Sequence, residues 1–405
     1  MKKTLPHLYP ALAALAIVAG VLLGGNWYAT RLETRYVNSL APLQIRQGDV
    51  GIALQEAAFQ QPSLLPVFGS SEMNKEDDEN IAHRFFQTYP TGFTVFDIAH
   101  GGMTSLEIAQ NLAAIGPELK GKQVVISFTP SMFGNPEQRP HYYAGNFSTL
   151  HANEMAFSPY LSLKLKQQAA IRMLQYPETL IKDPLLKFAL ENLAGSSARN
   201  FCLYYLVMPL GRLQILIIRL QDQWEMLNWF YANSQALFPV TRKTYSIDWQ
   251  ADLSQAIALQ KKDTSSNPYG IENRNWRVRI ASKFSAKIPP GSMDEAYIGD
   301  VGASKEWDDF NILLSTLQEL GARPLIMSRP INGTIEDALG VSAKARTYFY
   351  NKLQKAVRPY GFPLVEYSEQ DNNRLFSIDA NSHTSRVGWI YIDQTLDAFY
   401  HGQIH

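Results

Sequence analysis

Three short apolar runs, each closed by small or polar residues, set the tightest limit on what this chain can fold into. Leu64-Leu65-Pro66-Val67-Phe68 runs into Gly69-Ser70-Ser71, and Phe93-Thr94-Val95-Phe96-Asp97-Ile98 runs into His100-Gly101-Gly102. Gln123-Val124-Val125-Ile126-Ser127-Phe128 runs into Thr129-Pro130-Ser131. Runs this short, rich in β-branched and aromatic residues and bounded by turn formers, read as buried strands. Between the first two, Asn80 to Gln87 is polar with helical character. Between the second and third, apolar residues recur at Leu106, Ile108, Leu112 and Ala113, which predicts a helix over Thr104 to Ala114. Strands alternating with helices predict parallel β-α-β units with right-handed crossovers. Ligands of such sheets bind beyond the carboxyl ends of the strands. The three strand ends are therefore expected to share one cleft.

The pattern changes from about 135 to 300, where long helical periodicities (Leu161 to Leu174, Leu185 to Leu193, Leu220 to Leu237) predict a largely helical insertion. Alternation then returns: helix over Trp307 to Leu320, strand Pro324 to Ser328, helix Ser342 to Val357, strand Pro363 to Tyr367. A loop over Phe376 to Val387 precedes a last helix near Gly388 to Tyr400. The expected fold class is α/β, a central parallel sheet with helical layers and a helical insertion.

The N-terminus sets where such a domain works. Leu8 to Gly25 carries no charged side chain, with Lys2 and Lys3 before it and Trp27 and Tyr28 after it. About 18–20 helical residues cross a hydrocarbon core of roughly 30 Å, and the aromatics stand at interface level. Bulky rings close to any cleavage point favour a retained transmembrane anchor (1–30) over a signal peptide. A helical, moderately polar stalk is expected over 31–60 and an extracytoplasmic domain over 61–405, giving a single-pass membrane protein. A second apolar stretch, Phe201 to Ile218, is interrupted by Pro209, Gly211, Arg212 and Gln214. It reads first as a buried segment of the soluble domain and second as a surface meeting lipid or a membrane partner.

Lys+Arg and Asp+Glu each number 37, so no basic excess points to nucleic acid. Cys202 is the single cysteine, which rules out an intramolecular disulfide, and its apolar run predicts a buried thiol. No His/Cys/Asp cluster has metal-ligand spacing, no glycine-rich phosphate loop occurs, and no cofactor is implied.

Ser71 stands just past a strand where a helix is expected to open, a place that holds a nucleophile rigidly and offers backbone N–H groups to an oxyanion. A serine there also serves as a helix cap. A nucleophilic serine needs a base. His383 lies near the C-terminus with Asp379 four residues before it, an order in which the acid can orient the ring.

A nucleophile after the first strand with Asp and His near the C-terminus resembles SGNH/GDSL-type hydrolases, with Phe68-Gly69-Ser70-Ser71 where that group has Gly-Asp-Ser. More specifically, the chain resembles the DltD family nearly end to end. The resemblance rests on the anchor, Pro66-Val67-Phe68-Gly69-Ser70-Ser71-Glu72, Lys120-Gly121-Lys122-Gln123-Val124-Val125-Ile126-Ser127 and Ser131-Met132-Phe133. It continues through Asp263-Thr264-Ser265-Ser266-Asn267-Pro268-Tyr269-Gly270-Ile271, Arg329-Pro330-Ile331-Asn332-Gly333, Asp379, His383 and Gly388-Trp389. The Asp–His spacing is four where the family pattern has three. The resemblance implies a three-layer SGNH-like fold and a part in D-alanylation of lipoteichoic acid or a similar anionic envelope polymer. A membrane O-acyltransferase is implied as partner. By that analogy Ser71 attacks an activated D-alanyl ester, His383 serves as base and then acid, and Asp379 orients it. N–H groups at Ser71 and near Gly102 would form the oxyanion hole. His100, Arg329 and Asn332 are further cleft candidates, His100 and Arg329 toward acceptor phosphate, with ordinary structural bonding as the competing reading. A D-alanyl esterase or thioesterase, and a non-catalytic subunit holding acyltransferase and polymer together, are the alternatives.

Overall fold

A computed structural model describes residues 8–41, 51–73, 79–137, 140–233, 243–284, 288–379 and 383–404. Lys2 and Lys3, the middle of the expected stalk, residues 234–237 of an expected helix, and Ala380, Asn381 and Ser382 lie outside the described residues. Five parallel strands form one sheet: β1 (Leu64–Gly69), β2 (Thr94–Ala99), β3 (Gln123–Phe128), β4 (Arg323–Ser328) and β5 (Leu364–Glu366), in the order β2-β1-β3-β4-β5. Adjacent strands run in register through Val67 beside Asp97 and Val125, and Ile126 beside Ile326.

The described residues hold sixteen α-helices. The first four are α1 (Leu8–Leu40), α2 (Ile52–Gln60), α3 (Ala82–Thr88) and α4 (Ser105–Ile115). Between β3 and β4 come α5 (Pro140–Asn146), α6 (Thr149–Phe157), α7 (Leu163–Met173), α8 (Pro184–Ala194) and α9 (Ala198–Asn233). The same interval holds α10 (Trp249–Asp263), the single turn α11 (Asn273–Asn275), α12 (Asp294–Ala303) and α13 (Glu306–Glu319), and no strand among the described residues. Then follow α14 (Gly333–Ala338), α15 (Ala343–Val357) and α16 (Arg386–Tyr400).

The period of two in the strands divides the core. Phe68, Phe96, Ile98, Val124, Ile126 and Ile326 face one apolar cluster with α2, α4, α13 and α15. Their neighbours Leu65, Val67, Val95, Val125, Leu325 and Met327 face the other, with α3 and α16. The domain is thus a three-layer α/β/α sandwich, and both sheet faces are covered as an all-parallel sheet requires. β1 is followed by β2 on one side and β3 on the other, so the sheet's switch point lies at the ends of β1 and β3.

Several local expectations change. Ser71 opens a 3-10 turn, Ser71–Met73, at the edge of the described residues, and not an α-helical turn. Phe201 to Ile218 is neither buried nor separate from the helix predicted after it. Both belong to the 36-residue α9, where Tyr205, Leu206, Leu210, Leu213, Leu216 and Ile217 are exposed. Cys202 is likewise exposed, because it lies on the outer side of that helix. An apolar run does not reveal which of its sides meets the core. α1 passes residue 30 without a break, and α2 is buried against the domain.

Candidate active site

The end of β1 separates two adjacent serines. Ser70 is buried and tied down: its N–H donates to Glu72 Oε1 at 2.9 Å, and its hydroxyl donates to the His100 carbonyl at 3.3 Å. The hydroxyl also accepts from Gly102 N–H at 3.1 Å. Ser71 is exposed and turns the other way. Its Oγ lies 3.1 Å from His383 Nε2, from the far end of the chain.

His383 sits on a tight excursion between β5 and α16. Ile378 N–H donates to the His383 carbonyl at 2.8 Å, and Ser377 and Thr384 form an antiparallel bridge just outside it. The spacing of four lets Asp379 meet the histidine twice. Oδ2 lies 2.5 Å from Nδ1, and Oδ1 accepts the His383 backbone N–H at 3.3 Å. A carboxylate only accepts, so the ring proton belongs on Nδ1 and Nε2 presents its lone pair to the Ser71 hydroxyl. The excursion is pinned by α16. Ser385 caps it, accepting from Val387 and Gly388 N–H, while its hydroxyl donates to the Leu375 carbonyl. Gly388 is required there: a Cβ would stand 2.4 Å from the Phe376 carbonyl oxygen.

A cavity of about 240 Å³ opens over this constellation. Ser71, His383 and Gly102 line it, as do Thr129 and Ser131 at the end of β3, Asn135, Tyr142 and Glu306. Thr129 and Ser131 share a hydrogen bond at 2.8 Å. Glu306, at the start of α13, is the one carboxylate among the described lining residues. It accepts the N–H of Ser105, the first residue of α4, at 2.8 Å. The partial positive charge of that helix end stabilises an ionised acid. Burial pushes the neighbouring Glu107 well up, and Glu306 adds to that shift through charge repulsion. Glu306 and Tyr142 were not singled out from sequence, whereas Thr129 and Ser131 belong to a strand end expected to share the cleft. Glu306 stands among Asp308 and Asp309 in an acidic first turn that reads as ordinary helix-start chemistry.

The remaining candidates fall behind the cleft. Arg329 is fully buried, its guanidinium 4.8 Å over the Trp389 ring and 3.4 Å from Met73 Sδ. It therefore meets no acceptor phosphate. Burial lowers its pKa, opposed chiefly by the charge of Glu72. Burial raises Glu72, opposed chiefly by Arg329. Glu72 lies in the Ser71 turn and Arg329 is buried behind it, two opposite charges that act on each other without an ion-pair contact. His100 is half-buried and contributes its carbonyl to Ser70. Gly102 lines the cavity, but its N–H is given to Ser70 and not directed at an oxyanion. Its φ of +80° and the Tyr142 ring, 2.9 Å from where a Cβ would be, fix that turn. Asn332 caps α14 by accepting Ile335 N–H at 3.2 Å, and its amide reaches the Asp379 carbonyl at 3.4 Å. It braces the Asp379 loop from outside the cleft.

Residues 46–401 match the family model described as DltD protein. The chain is 25% identical over 398 residues to Protein DltD of Bacillus subtilis (strain 168), covering 96% of each chain. It is 24% identical over 394 residues to Protein DltD of Staphylococcus aureus (strain NCTC 8325 / PS 47), covering 97% of this chain and 95% of that one. Protein DltD of Lacticaseibacillus rhamnosus is 24% identical over 408 residues, covering 96% and 89%. With a family model spanning most of its length and relatives aligned end to end, this chain belongs to the DltD family.

Proposed function

We propose that the chain is a membrane-anchored serine acyltransferase of D-alanylation, moving D-alanyl groups onto lipoteichoic acid or a similar anionic envelope polymer. The observation that carries this is the relay Ser71 Oγ–His383 Nε2 at 3.1 Å and His383 Nδ1–Asp379 Oδ2 at 2.5 Å, opening into one cavity. Ser71 Oγ attacks the carbonyl carbon of an activated D-alanyl ester while its proton passes to His383 Nε2. Asp379 holds the ring and stabilises the imidazolium without taking the proton. The tetrahedral intermediate collapses, the donor's leaving group takes the proton from Nε2, and a D-alanyl ester remains on Ser71. A polymer hydroxyl then gives its proton to Nε2 as it attacks the same carbonyl, and collapse of the second tetrahedral intermediate breaks the bond to Ser71 Oγ, which takes that proton back from Nε2. The Ser71 N–H and the hydroxyls of the cavity-lining Thr129 and Ser131 are the oxyanion donors in this reading. An aminoacyl group carries an ammonium, and Glu306 supplies the negative charge to receive it.

The domain faces outward in this reading, anchored by α1, whose length and apolar composition are enough to cross a membrane, beside a membrane O-acyltransferase that delivers the acyl group. Replacing Ser71 with Ala and measuring D-alanyl esters on the envelope tests it. Loss of the esters is expected, with the protein still at normal level in the membrane. Full retention would exclude the nucleophile and leave the non-catalytic assembly subunit. A C-terminal topology reporter active only in the cytoplasm would remove the outward orientation.

A further inference from the structure

We propose that α9 is a second, non-spanning membrane element. Its outer face lies in the bilayer interface beside α1, so the domain rests on the membrane at two places and does not hang from one tether.

The helix has two sides along its whole length. Tyr204, Gly211, Ile215, Asp222 and Met226 are buried, and their spacing of seven, four, seven and four traces one continuous stripe packed on the domain. Gly211 sits against the Phe157 ring, with no room for a Cβ. On the opposite side Cys202, Leu206, Leu210, Leu213, Ile217, Trp224 and Tyr231 follow at helical spacing and are exposed, Leu206 at 72% and Trp224 at 66%. No acidic residue occurs between Ala198 and Gln221, whereas Arg199 and Arg212 flank the stripe and are exposed. Their long stems can lie on apolar surface with the charge at the phosphates.

The helix is apolar enough to cross a membrane, but its inner side excludes that. Tyr204 Oη donates to the Ala156 carbonyl at 2.8 Å and Gln214 to Asp183 at 2.6 Å. Arg219 donates to Glu56 at 2.7 Å, and Asp222 accepts the N–H groups of Gly51 and Ile52 at 2.7 and 3.0 Å. These bonds tie α9 to a polar domain from one end to the other, and hydrocarbon accepts no such domain.

The contacts with α1 select lipid for the outer face. Tyr28 Oη meets Tyr231 Oη at 3.1 Å, the Tyr36 ring lies 5.1 Å from Phe230, and Gln223 donates to Thr30 at 3.1 Å. Tyr28 and Tyr36 are about 12 Å apart along α1, yet their partners on α9 are adjacent residues. Two helices lying side by side would displace the partner by about eight residues over that distance, so α9 crosses α1 steeply. With α1 along the bilayer normal, α9 lies near the membrane plane. The crossing falls just past Gly25, where the charge-free stretch ends, among Trp27, Tyr28 and an Arg31 guanidinium 5.4 Å over the Trp27 ring. Those are headgroup-level residues. The inner face is turned to the domain, which leaves the outer face for the bilayer.

The test uses the full-length chain in liposomes of zwitterionic and anionic phospholipid, with a fluorophore on single cysteines. In a Cys202→Ser background, Leu206→Cys and Leu213→Cys report on α9, Val18→Cys on α1, and Lys355→Cys on exposed α15. Lipids brominated high or deep in the acyl chain act as quenchers. Loss of emission is expected at 206 and 213, larger with high bromines. Val18→Cys should be quenched more by deep ones, and Lys355→Cys by neither. Cys202 labelled in the native sequence should behave as 206 does, with no substitution involved. Quenching at Val18 but not at 202, 206 or 213 would overturn the proposal in favour of a face covered by water or protein. Stronger quenching by deep bromines at 206 and 213 would overturn it in favour of a span. No quenching at Val18 would remove the frame on which it rests.

Discussion

Arg329 and Glu72 are the two opposite charges buried at the Ser71 turn, and their coupling makes a quantitative prediction. Both are fully buried, and each is the chief opposite charge acting on the other. Removing one partner of a buried salt bridge is destabilising by about 3–5 kcal/mol, because the remaining charge is left without compensation. Arg329 and Glu72 act on each other through charge and not through an ion-pair contact, so Arg329→Met should lower stability by up to that amount at neutral pH. Glu72→Gln keeps an oxygen for the Ser70 N–H and removes the charge. In the double variant both charges are gone, and a similar volume remains over Trp389, so most of the loss should be recovered. The pH dependence carries the sign. Without Arg329 only backbone N–H donors, Ser70 among them, and the His383 charge offset the burial that raises the Glu72 pKa, so its folded value climbs further above the unfolded one. The folded state then binds a proton that the unfolded state releases. Stability of Arg329→Met should fall as pH rises between those two values, by up to about 1.4 kcal/mol per pH unit, and recover as pH falls. Urea midpoints of the detergent-solubilised full chain between pH 5 and 8, followed by circular dichroism, measure both effects. An Arg329→Met midpoint equal to the parent's, with an unchanged pH slope, would refute the coupling. So would a double variant no more stable than Arg329→Met.

Asp379→Asn should leave the protein folded and lower acyl transfer by roughly 10³–10⁴-fold, since the carboxylate fixes the ring tautomer. Single-turnover acylation of Ser71 with a D-alanyl thioester reads it, and a loss below tenfold would deny Asp379 that role. Glu306→Gln keeps an acceptor for Ser105 N–H but not the charge. It should lower kcat/KM for a D-alanyl donor by about 10–100-fold, mostly through KM, and leave a propionyl donor unaffected. Equal losses on the two donors would show that Glu306 does not receive the ammonium. Gly270→Ala places a Cβ 1.8 Å from the Arg374 carbonyl oxygen at a φ of +73°. It should destabilise the chain by about 1–3 kcal/mol or more, as a thermal midpoint several degrees below the parent's.

What the sequence made legible follows from how local each signal is. The strand ends were readable because a five- or six-residue apolar run closed by Gly-Ser-Ser or Thr-Pro-Ser is a local pattern. Ser71 and His383 could be named from their places in the alternation, although neither shows the other across the chain. Arg329 was misplaced because a charged residue just past a strand normally marks a cleft. Nothing in Ser328-Arg329-Pro330 tells that Trp389, 60 positions on, provides a flat ring to lie against. Cys202 and the first half of α9 were read as buried because hydropathy records how apolar a segment is, whereas its outer side meets no protein. Glu306 stayed hidden because its partner, Ser105, lies 201 residues away.

The relay joins Ser71 to His383 across 312 residues, with the serine just past the first strand and the histidine beyond the last. Under the proposed mechanism, that order sets when the protein becomes chemically competent during its own manufacture. At about 5–20 residues per second, synthesis of the intervening chain takes roughly 15–60 s. Throughout that interval the serine is present without its base. A chain released early, even one ending just after β5, would contain every strand of the sheet yet no imidazole to activate the hydroxyl. If the proposed mechanism holds, the closing loop would thus act as a completion seal, withholding reactivity from unfinished copies.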